Sequence, residues 1–146
     1  ENPHNIEFAV GDLILGKGIR ICSGADITIA VTGAQLSNVL AASKLLGNSG
    51  ISTEILYFHT LKPFDIELIC SSLRVTRRLL TVEELSAHDG LHNLCLRAAV
   101  GIGDINVSQL AIDGFLRGYG SYEDLCETAG LTVHGIVSQV EDLVRP

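Results

Sequence analysis

The feature that most constrains this chain is a regular alternation of short apolar runs with amphipathic helical patterns. Four runs rich in apolar and β-branched residues predict strands at residues 27–31, 55–58, 79–82 and 105–112. After each run, apolar side chains recur at helical spacing, so strand and helix alternate along the chain. Repeated strand–helix–strand units predict a mostly parallel sheet with helices on both faces.

Residues that favour the starts of helices mark the boundaries of these elements. Asp65, Ser121 and Thr132 each stand directly before a helical pattern, where a short oxygen-bearing side chain accepts hydrogen bonds from the first turn. The alternating residues 19–22 predict a short edge strand. We expect one domain over residues 1–146, in which residues 1–24 form a lead-in segment containing that edge strand.

Composition excludes several classes of protein. Of the 146 residues, 47% are apolar and 18% are charged, which suits a chain with its own core and excludes a disordered one. No apolar run approaches the ~20 residues of a spanning helix, so no membrane contact is expected. The net charge of −7 repels phosphate backbones, so nucleic acid is not an expected partner. The local basic cluster Arg74, Arg77 and Arg78 is interpreted as cations at a helix end.

The cysteines and the missing methionine carry further information. Cys22, Cys70, Cys95 and Cys126 are far apart and form no paired motif, so we interpret them as small buried thiols and expect a cytoplasmic location. Because the chain contains no methionine, we expect it to be a processed product or a segment of a longer protein.

Two loops are placed where a parallel sheet binds ligands, beyond the carboxyl ends of the strands. One loop, residues 32–35, follows the first predicted run, and the other, residues 83–92, follows the third. If those two strands are neighbours, the loops face each other. The first loop lacks the glycine spacing of a dinucleotide fingerprint. Gly33 could let an anion approach the start of the following helix, but the preferred interpretation is a tight turn into that helix.

The second loop is the most titratable segment of the chain. His88 and His92 are four residues apart, as in helical zinc sites, but the Asp89–Gly90 pair between them predicts that His88 lies in a loop. A carboxylate–histidine pair for acid–base chemistry is a second interpretation, and it requires a pocket. The preferred interpretation is a surface or subunit-contact loop, so we predict no catalytic residue, no cofactor-binding residue and no metal ligand.

An ordered set of motifs across the chain leads to a family. Residues 24–33 carry a glycine, an aspartate, a hydrophobic strand and a second glycine, and residues 60–65 read Thr-Leu-Lys-Pro-Phe-Asp. A strand ending in Glu83–Glu84 precedes Gly90–Leu91, and a closing pattern follows, with Phe115, Gly120, Leu125, Gly130, Leu131 and Ile136. In these features the chain resembles the C-terminal domain shared by transketolases and their thiamine-diphosphate relatives. Those relatives include 1-deoxyxylulose-5-phosphate synthase and the beta subunit of 2-oxo-acid dehydrogenases.

The resemblance implies a fold and a role. The implied fold is a three-layer α/β/α sandwich with a mixed, mostly parallel sheet of about five strands, of which the edge strand is antiparallel. The implied role is the C-terminal domain or small subunit of an enzyme that transfers a two-carbon ketol unit between sugar phosphates. Thiamine diphosphate and a magnesium ion are implied in upstream domains or a subunit that would be this chain's partners. The domain itself would bind no cofactor, would be inactive alone and would support a homodimer.

The alternatives are the beta-subunit domain of a 2-oxo-acid dehydrogenase and a non-catalytic assembly or ligand-binding module. One departure from the family pattern is local: Asp89 and His92 stand where the family has the outer glycines of Gly-Gly-Leu-Gly. Residues predicted to face an interface or the active-site funnel are Gly33, Glu83, Glu84, His88, Asp89, Gly90 and His92.

Overall fold

The structure is a computed structural model that describes residues 13–86, 88–112 and 121–145. Its elements follow in the order β1 (Ile19–Cys22), β2 (Ile27–Val31), α1 (Leu36–Asn48), β3 (Thr53–Tyr57), α2 (Ile66–Thr76), β4 (Arg78–Ser86), α3 (Leu91–Ala99), β5 (Asn106–Ile112), α4 (Tyr122–Thr128) and α5 (Val133–Val144). Sequence expectations for residues 1–12, Ala87, Phe115 and Gly120 lie outside the described residues.

The five strands form one sheet in the order β1-β3-β2-β4-β5. Strands β2 to β5 pair in parallel, and β1 runs antiparallel to β3 at one edge. This arrangement confirms the mixed, mostly parallel sheet and the antiparallel edge strand that the sequence analysis predicts. It also confirms that the strands preceding the two loops are neighbours, because β2 pairs with β4.

Helices cover both faces of the sheet, which confirms the three-layer architecture. Alternate residues of a strand point to opposite faces, so β2 contributes to two cores. Ile27, Ile29 and Val31 pack with residues of α1, α4 and α5. Ala30, on the other face, packs with residues of α2 and α3. Both sides of β2 are therefore buried, as its uninterrupted apolar run predicts.

Strands β3 and β4 extend beyond their predicted runs because polar residues take part in them. β3 begins at Thr53, two residues before the predicted run, and its first two side chains are buried but polar. Thr53 pairs with Ser43 at 2.6 Å between hydroxyl oxygens, and Glu54 forms an ion pair with Arg20 at 2.6 Å. β4 continues to Ser86 because its pairing with β5 extends to Ile112. The apolar pattern of the sequence cannot reveal buried polar side chains whose hydrogen-bond or ion-pair partners lie elsewhere in the chain.

The predicted capping residues are confirmed. Asp65 accepts a hydrogen bond from Leu68 N at 3.2 Å, and Thr132 accepts one from Gly135 N at 3.0 Å. Ser121 forms a reciprocal capping box with Asp124 at the start of α4. These side chains satisfy backbone donors that have no partner within the helix.

The basic cluster and the cysteines follow the sequence expectations in part. Arg74 lies in the last turn of α2. Arg78 instead contacts the end of a different helix, because its Nε donates to Leu143 O of α5 at 3.1 Å. Three cysteines are buried, but the expectation is wrong for Cys22, which is exposed on the edge strand; all four thiols are free. Among the described residues, no helix combines the length and apolar character needed to span a membrane.

Candidate functional site

The candidate site lies at the carboxyl edge of the sheet, where β2 and β4 end side by side. Strand order reverses here, because β3 lies on one side of β2 and β4 on the other. The loop after β2 is fastened to β4 by the hydrogen bond from Thr32 N to Val82 O at 3.3 Å. Such a reversal is the usual position of ligand sites in open α/β sheets. Two neighbouring glutamates at the end of β4, Glu83 and Glu84, organise opposite sides of this edge.

The first side, which we call the α3 corner, comprises Thr81, Glu83, Gly90, Leu91 and His92. The Glu83 side chain is fully buried and accepts hydrogen bonds from Leu91 N at 2.6 Å and His92 N at 2.9 Å. These are the first two backbone donors of α3, where the helix dipole favours a negative charge. A third donor, Gln109 Nε2, lies 3.3 Å away. Glu83 therefore holds α3 against the sheet.

Gly90 is required by the same packing. A Cβ atom placed on Gly90 would lie 1.8 Å from Glu83 Oε2, far inside contact distance. The carboxylate has little freedom to retreat, because its oxygens are held by the backbone of α3. The glycine that the chain shares with the family pattern thus leaves space for a buried side chain.

His92 occupies a place where the family pattern has glycine, and its ring is accommodated. His92 Nδ1 lies 2.8 Å from Thr81 Oγ1, so the imidazole packs back onto β4. Burial lowers the pKa of His92 below its ordinary value, and the nearby Glu83 carboxylate opposes that shift. The neutral ring is therefore favoured in the folded chain, which suits a hydrogen-bonded packing residue.

The second side, which we call the α4 corner, comprises Gln35, Glu84, Tyr122 and Cys126. Gln35 is fully buried, and its Nε2 donates to Glu84 Oε1 at 3.1 Å and to Tyr122 OH at 3.0 Å. The Tyr122 hydroxyl in turn donates to Glu84 Oε1, and Cys126 Sγ lies 3.5 Å from Gln35 Nε2. Burial and the hydrogen bond to Glu84 raise the pKa of Tyr122. Glu84 is thus oriented by neutral donors and remains partly exposed.

Gly33 lies next to the other oxygen of Glu84. Its φ of +68° is in the left-handed region that favours glycine, and a Cβ there would lie 3.7 Å from Glu84 Oε2. Gly33 itself is exposed. One edge of the Glu84 carboxylate therefore adjoins open backbone, where a second molecule or domain can approach it.

A cavity of about 590 Å³ adjoins the α4 corner. It lies among the beginnings of α1, α4 and α5 and is lined by Ala34, Ser37, Asn38, Tyr122, Glu123, Cys126, Glu127, Leu131, Thr132 and Val133. Asn38 Nδ2 crosses its wall to bond Leu131 O at 3.3 Å. The sequence analysis included Gln35 only as the last residue of the first loop and did not name Asn38, although two amides soon after a strand end were a usable signal.

The two remaining candidates, His88 and Asp89, and the partly buried His59 lie in different environments. His88 and Asp89 are exposed in the turn before α3, where Asn93 Nδ2 donates to His88 O. His59 follows β3, and its Nδ1 lies 3.0 Å from Thr60 Oγ1, while its Nε2 is buried without a hydrogen-bond partner. Across residues 13–86, 88–112 and 121–145, no group of three or more His, Cys, Asp or Glu side chains is placed to hold a metal ion.

The seven predicted interface residues therefore divide. Gly33, Glu84, His88 and Asp89 are exposed or partly exposed at the carboxyl edge. The other three build the α3 corner: Glu83 and Gly90 are buried, and His92 is partly buried against Thr81. The first four can meet another surface directly, whereas Glu83 and Gly90 act only through the position of α3.

Comparisons with known proteins identify the family to which the sequence is similar. The family model named Transketolase, C-terminal domain matches residues 16–136 of the sequence. A 6-deoxy-6-sulfo-D-fructose transketolase subunit of a Clostridium species is 29% identical over 92% of this chain, and an apulose-4-phosphate transketolase subunit of Phocaeicola vulgatus is 30% identical over 81%. The chain spans 42% and 41% of those two relatives.

A solved structure agrees in fold. A split-gene transketolase, described as an inactive tetramer of four beta subunits, superposes with a TM-score of 0.83 at 29% identity. The match covers 91% of this chain and 45% of the other. The extent of the family match and the likeness in fold lead to one assignment. The chain belongs to the family of the transketolase C-terminal domain, whose enzymes depend on thiamine diphosphate.

Proposed function

We propose that this chain is the C-terminal part of a transketolase-like enzyme that transfers a two-carbon ketol unit between sugar phosphates. The observation that carries the proposal is the likeness, over most of the chain, to two relatives that are named as transketolase subunits. Both relatives are more than twice as long as the matched part. The chemistry is accordingly assigned to upstream domains or to a partner subunit.

The cavity beside the α4 corner suits thiamine diphosphate poorly. The cavity beside the α4 corner is lined by Glu123 and Glu127, and its described lining includes no lysine or arginine to meet a diphosphate. Its carboxylates would repel the anion. We therefore derive no chemical step through the cofactor in this chain and expect the isolated chain to be inactive.

The role proposed for this chain is assembly. Gly33, Glu84, His88 and Asp89, which we call the polar row, are exposed or partly exposed at the carboxyl edge of the sheet. This edge usually faces ligands and active-site crevices. We propose that this row contacts the upstream thiamine-diphosphate-binding domains within a homodimer. The structural relative is a tetramer of four beta subunits, which supports self-association of subunits that contain this fold.

The test uses the full-length polypeptide that contains this chain. Turnover is measured with a ketose phosphate donor and an aldose phosphate acceptor, with thiamine diphosphate and magnesium, for the full-length protein and for the 146-residue chain. We expect ketol transfer by the full-length protein, alone or together with its partner subunit, and none by the isolated chain. Ketol transfer by the isolated chain, or none by the full-length protein reconstituted with its partner subunit, contradicts the proposal.

Assembly is tested in the same preparation by sedimentation. Asp89→Lys places an opposite charge on the exposed row, and Asp142→Lys makes the same change on the exposed side of α5. We expect the first variant to weaken the dimer by about tenfold and the second to leave it unchanged. Equal behaviour of the two variants would remove Asp89 from the interface.

A second candidate has one observation in its favour. The pyruvate dehydrogenase E1 beta subunit of Dictyostelium discoideum is 38% identical, although over only 53% of this chain. Oxidative or non-oxidative decarboxylation of a 2-oxo acid by the full-length protein, without ketol transfer, would favour this alternative. The two substrate classes therefore separate the candidates in one assay.

A further inference from the structure

The two edges of the sheet differ in how they are protected against pairing with another chain. β1 has four residues, is irregular between Arg20 and Cys22 and carries the charge of Arg20. β5 has seven residues and contains no charged residue, no proline and no glycine. The irregularity in its pairing with β4 inserts residues between Val82 and Ser86 of β4, so β5 itself is uninterrupted. Proteins prevent edge pairing by short strands, bulges, charges and prolines, and β5 has none of them.

Packing leaves the outer edge of β5 accessible. Among the described residues, β5 pairs with β4 alone, which uses one edge of the strand. On one face Ser108 Oγ donates to Gln139 Oε1 of α5 at 2.6 Å, and on the other face Val107 packs on the core. Every residue from Val107 to Ile112 nonetheless remains partly exposed. The backbone donors and acceptors of the outer edge are therefore within reach of another strand.

The sequence of β5 is complementary to a second copy of itself. Two identical edge strands related by a twofold axis run antiparallel, and residues on the same face oppose each other. An axis centred on Gln109, the middle residue of β5, gives the register that pairs all seven residues. Val107 then opposes the partner's Ala111, and Leu110 opposes the partner's Ser108. Because the strand is uncharged, no like charges meet along it.

The edge of β5 is continuous with the polar row. Ile112, the last residue of β5, is in register with Ser86, the last residue of β4. The turn that contains His88 and Asp89 follows Ser86 and leads into α3. A strand paired with β5 would thus lie beside the surface that is proposed above to meet other domains within a homodimer. This continuity favours a second copy of the chain as the occupant.

We propose that β5 pairs with β5 of a second copy of this chain, antiparallel about Gln109, so that the two five-stranded sheets join across a twofold axis. This inference rests on the proposed function, because it names the strand through which the proposed homodimer pairs. Main-chain hydrogen bonds between the two strands supply the affinity. The neutral strand keeps like charges out of the contact, although each copy of the chain has a net charge of −7.

The test is a disulfide bond between copies that forms only in this register. In the full-length polypeptide that contains this chain, Cys22→Ser removes the exposed thiol. Val107→Cys and Ala111→Cys are then introduced together, with oxidised glutathione as the oxidant. Directly opposed residues of antiparallel strands have Cα atoms about 5 Å apart, which suits a disulfide. Either variant alone places its two thiols about 13 Å apart along the paired strands. We expect the double variant to form at least about tenfold more disulfide-linked dimer than either single variant.

A mixture of the two single variants is the matched control for the register. The mixture should also form the linked dimer, because a Val107→Cys copy then faces an Ala111→Cys copy. Non-reducing electrophoresis measures the link, and the mixture decides the question if the double variant does not fold. Absence of the link in both samples, or equal linking by the single variants alone, overturns the proposal. A protein that forms the link but transfers no ketol unit contradicts only the proposed activity, so the two failures are distinguishable.

Discussion

The α3 corner and the α4 corner begin from adjacent glutamates of one strand and differ in what satisfies the carboxylate. Glu83 is fully buried and receives backbone donors from the start of α3. Glu84 faces the other side of the sheet, is partly exposed and receives side-chain donors from Gln35 and Tyr122. A carboxylate held by backbone fixes an element, whereas one held by side chains at an exposed edge is able to meet another surface. Glu83 therefore has a structural role, whereas Glu84 is one of the four candidate residues that are exposed or partly exposed.

The largest expected difference between the corners comes from removing each carboxylate. Glu83→Ala leaves two backbone donors of α3 buried without partners and should cost about 3 kcal/mol of unfolding free energy. Glu84→Ala should cost less than about 1 kcal/mol, because the buried Gln35 Nε2 keeps its hydrogen bond to Tyr122 OH and the Tyr122 side chain is half exposed to water. Urea unfolding of the 146-residue chain measures both. Similar losses in the two variants would show that Glu84 is also structural.

Gly90 of the α3 corner and Gly33, which lies beside the α4 corner, give the next effect. Gly90→Ala forces a methyl group against Glu83 Oε2 and should cost about 2 kcal/mol. The added Cβ of Gly33→Ala would make only an ordinary van der Waals contact with Glu84 Oε2. The cost, about 1 kcal/mol, therefore comes from the unfavourable φ of +68°. Thermal unfolding followed by circular dichroism compares them. A larger loss for Gly33→Ala would mean that Glu83 yields easily and that the α3 corner is loosely packed.

The smallest effect is a pH dependence confined to the α3 corner. The folded chain holds the pKa of His92 below its ordinary value, so the unfolded chain takes up a proton first as the pH falls. The contribution of His92 is therefore complete above about pH 6.5 and is lost as the pH falls from there toward the folded pKa. The loss should stay under about 1 kcal/mol, because the ring is only partly buried.

Unfolding free energies at about pH 7.5 and 5.5 measure this contribution. His92→Gln should reduce the drop between those two pH values relative to the unaltered chain. His88→Gln, at the exposed position of the same turn, should leave the drop unchanged. If both substitutions act alike, the pH dependence does not arise from the contact between His92 and Thr81.

Much of the fold was predictable because it depends on local patterns. The uninterrupted apolar run at residues 27–31 predicted a strand buried on both faces, and Asp65 and Thr132 cap the helices that they precede. The bounds of β3 were less predictable, since Thr53 and Glu54 are polar residues whose partners are distant in sequence. The candidate site was predictable to the level of two facing loops.

What the sequence by itself determined was the alternation of strands and helices, the positions of the caps and the family. Only the tertiary structure decided which of the seven candidate residues reach the surface. Strand geometry sends Glu83 and Glu84 to opposite faces, but whether a carboxylate is buried depends on what packs above it. Here the start of α3 covers Glu83, and the exposed turn at Gly33 leaves Glu84 accessible. Those neighbours come from distant parts of the chain, so no local pattern contains them.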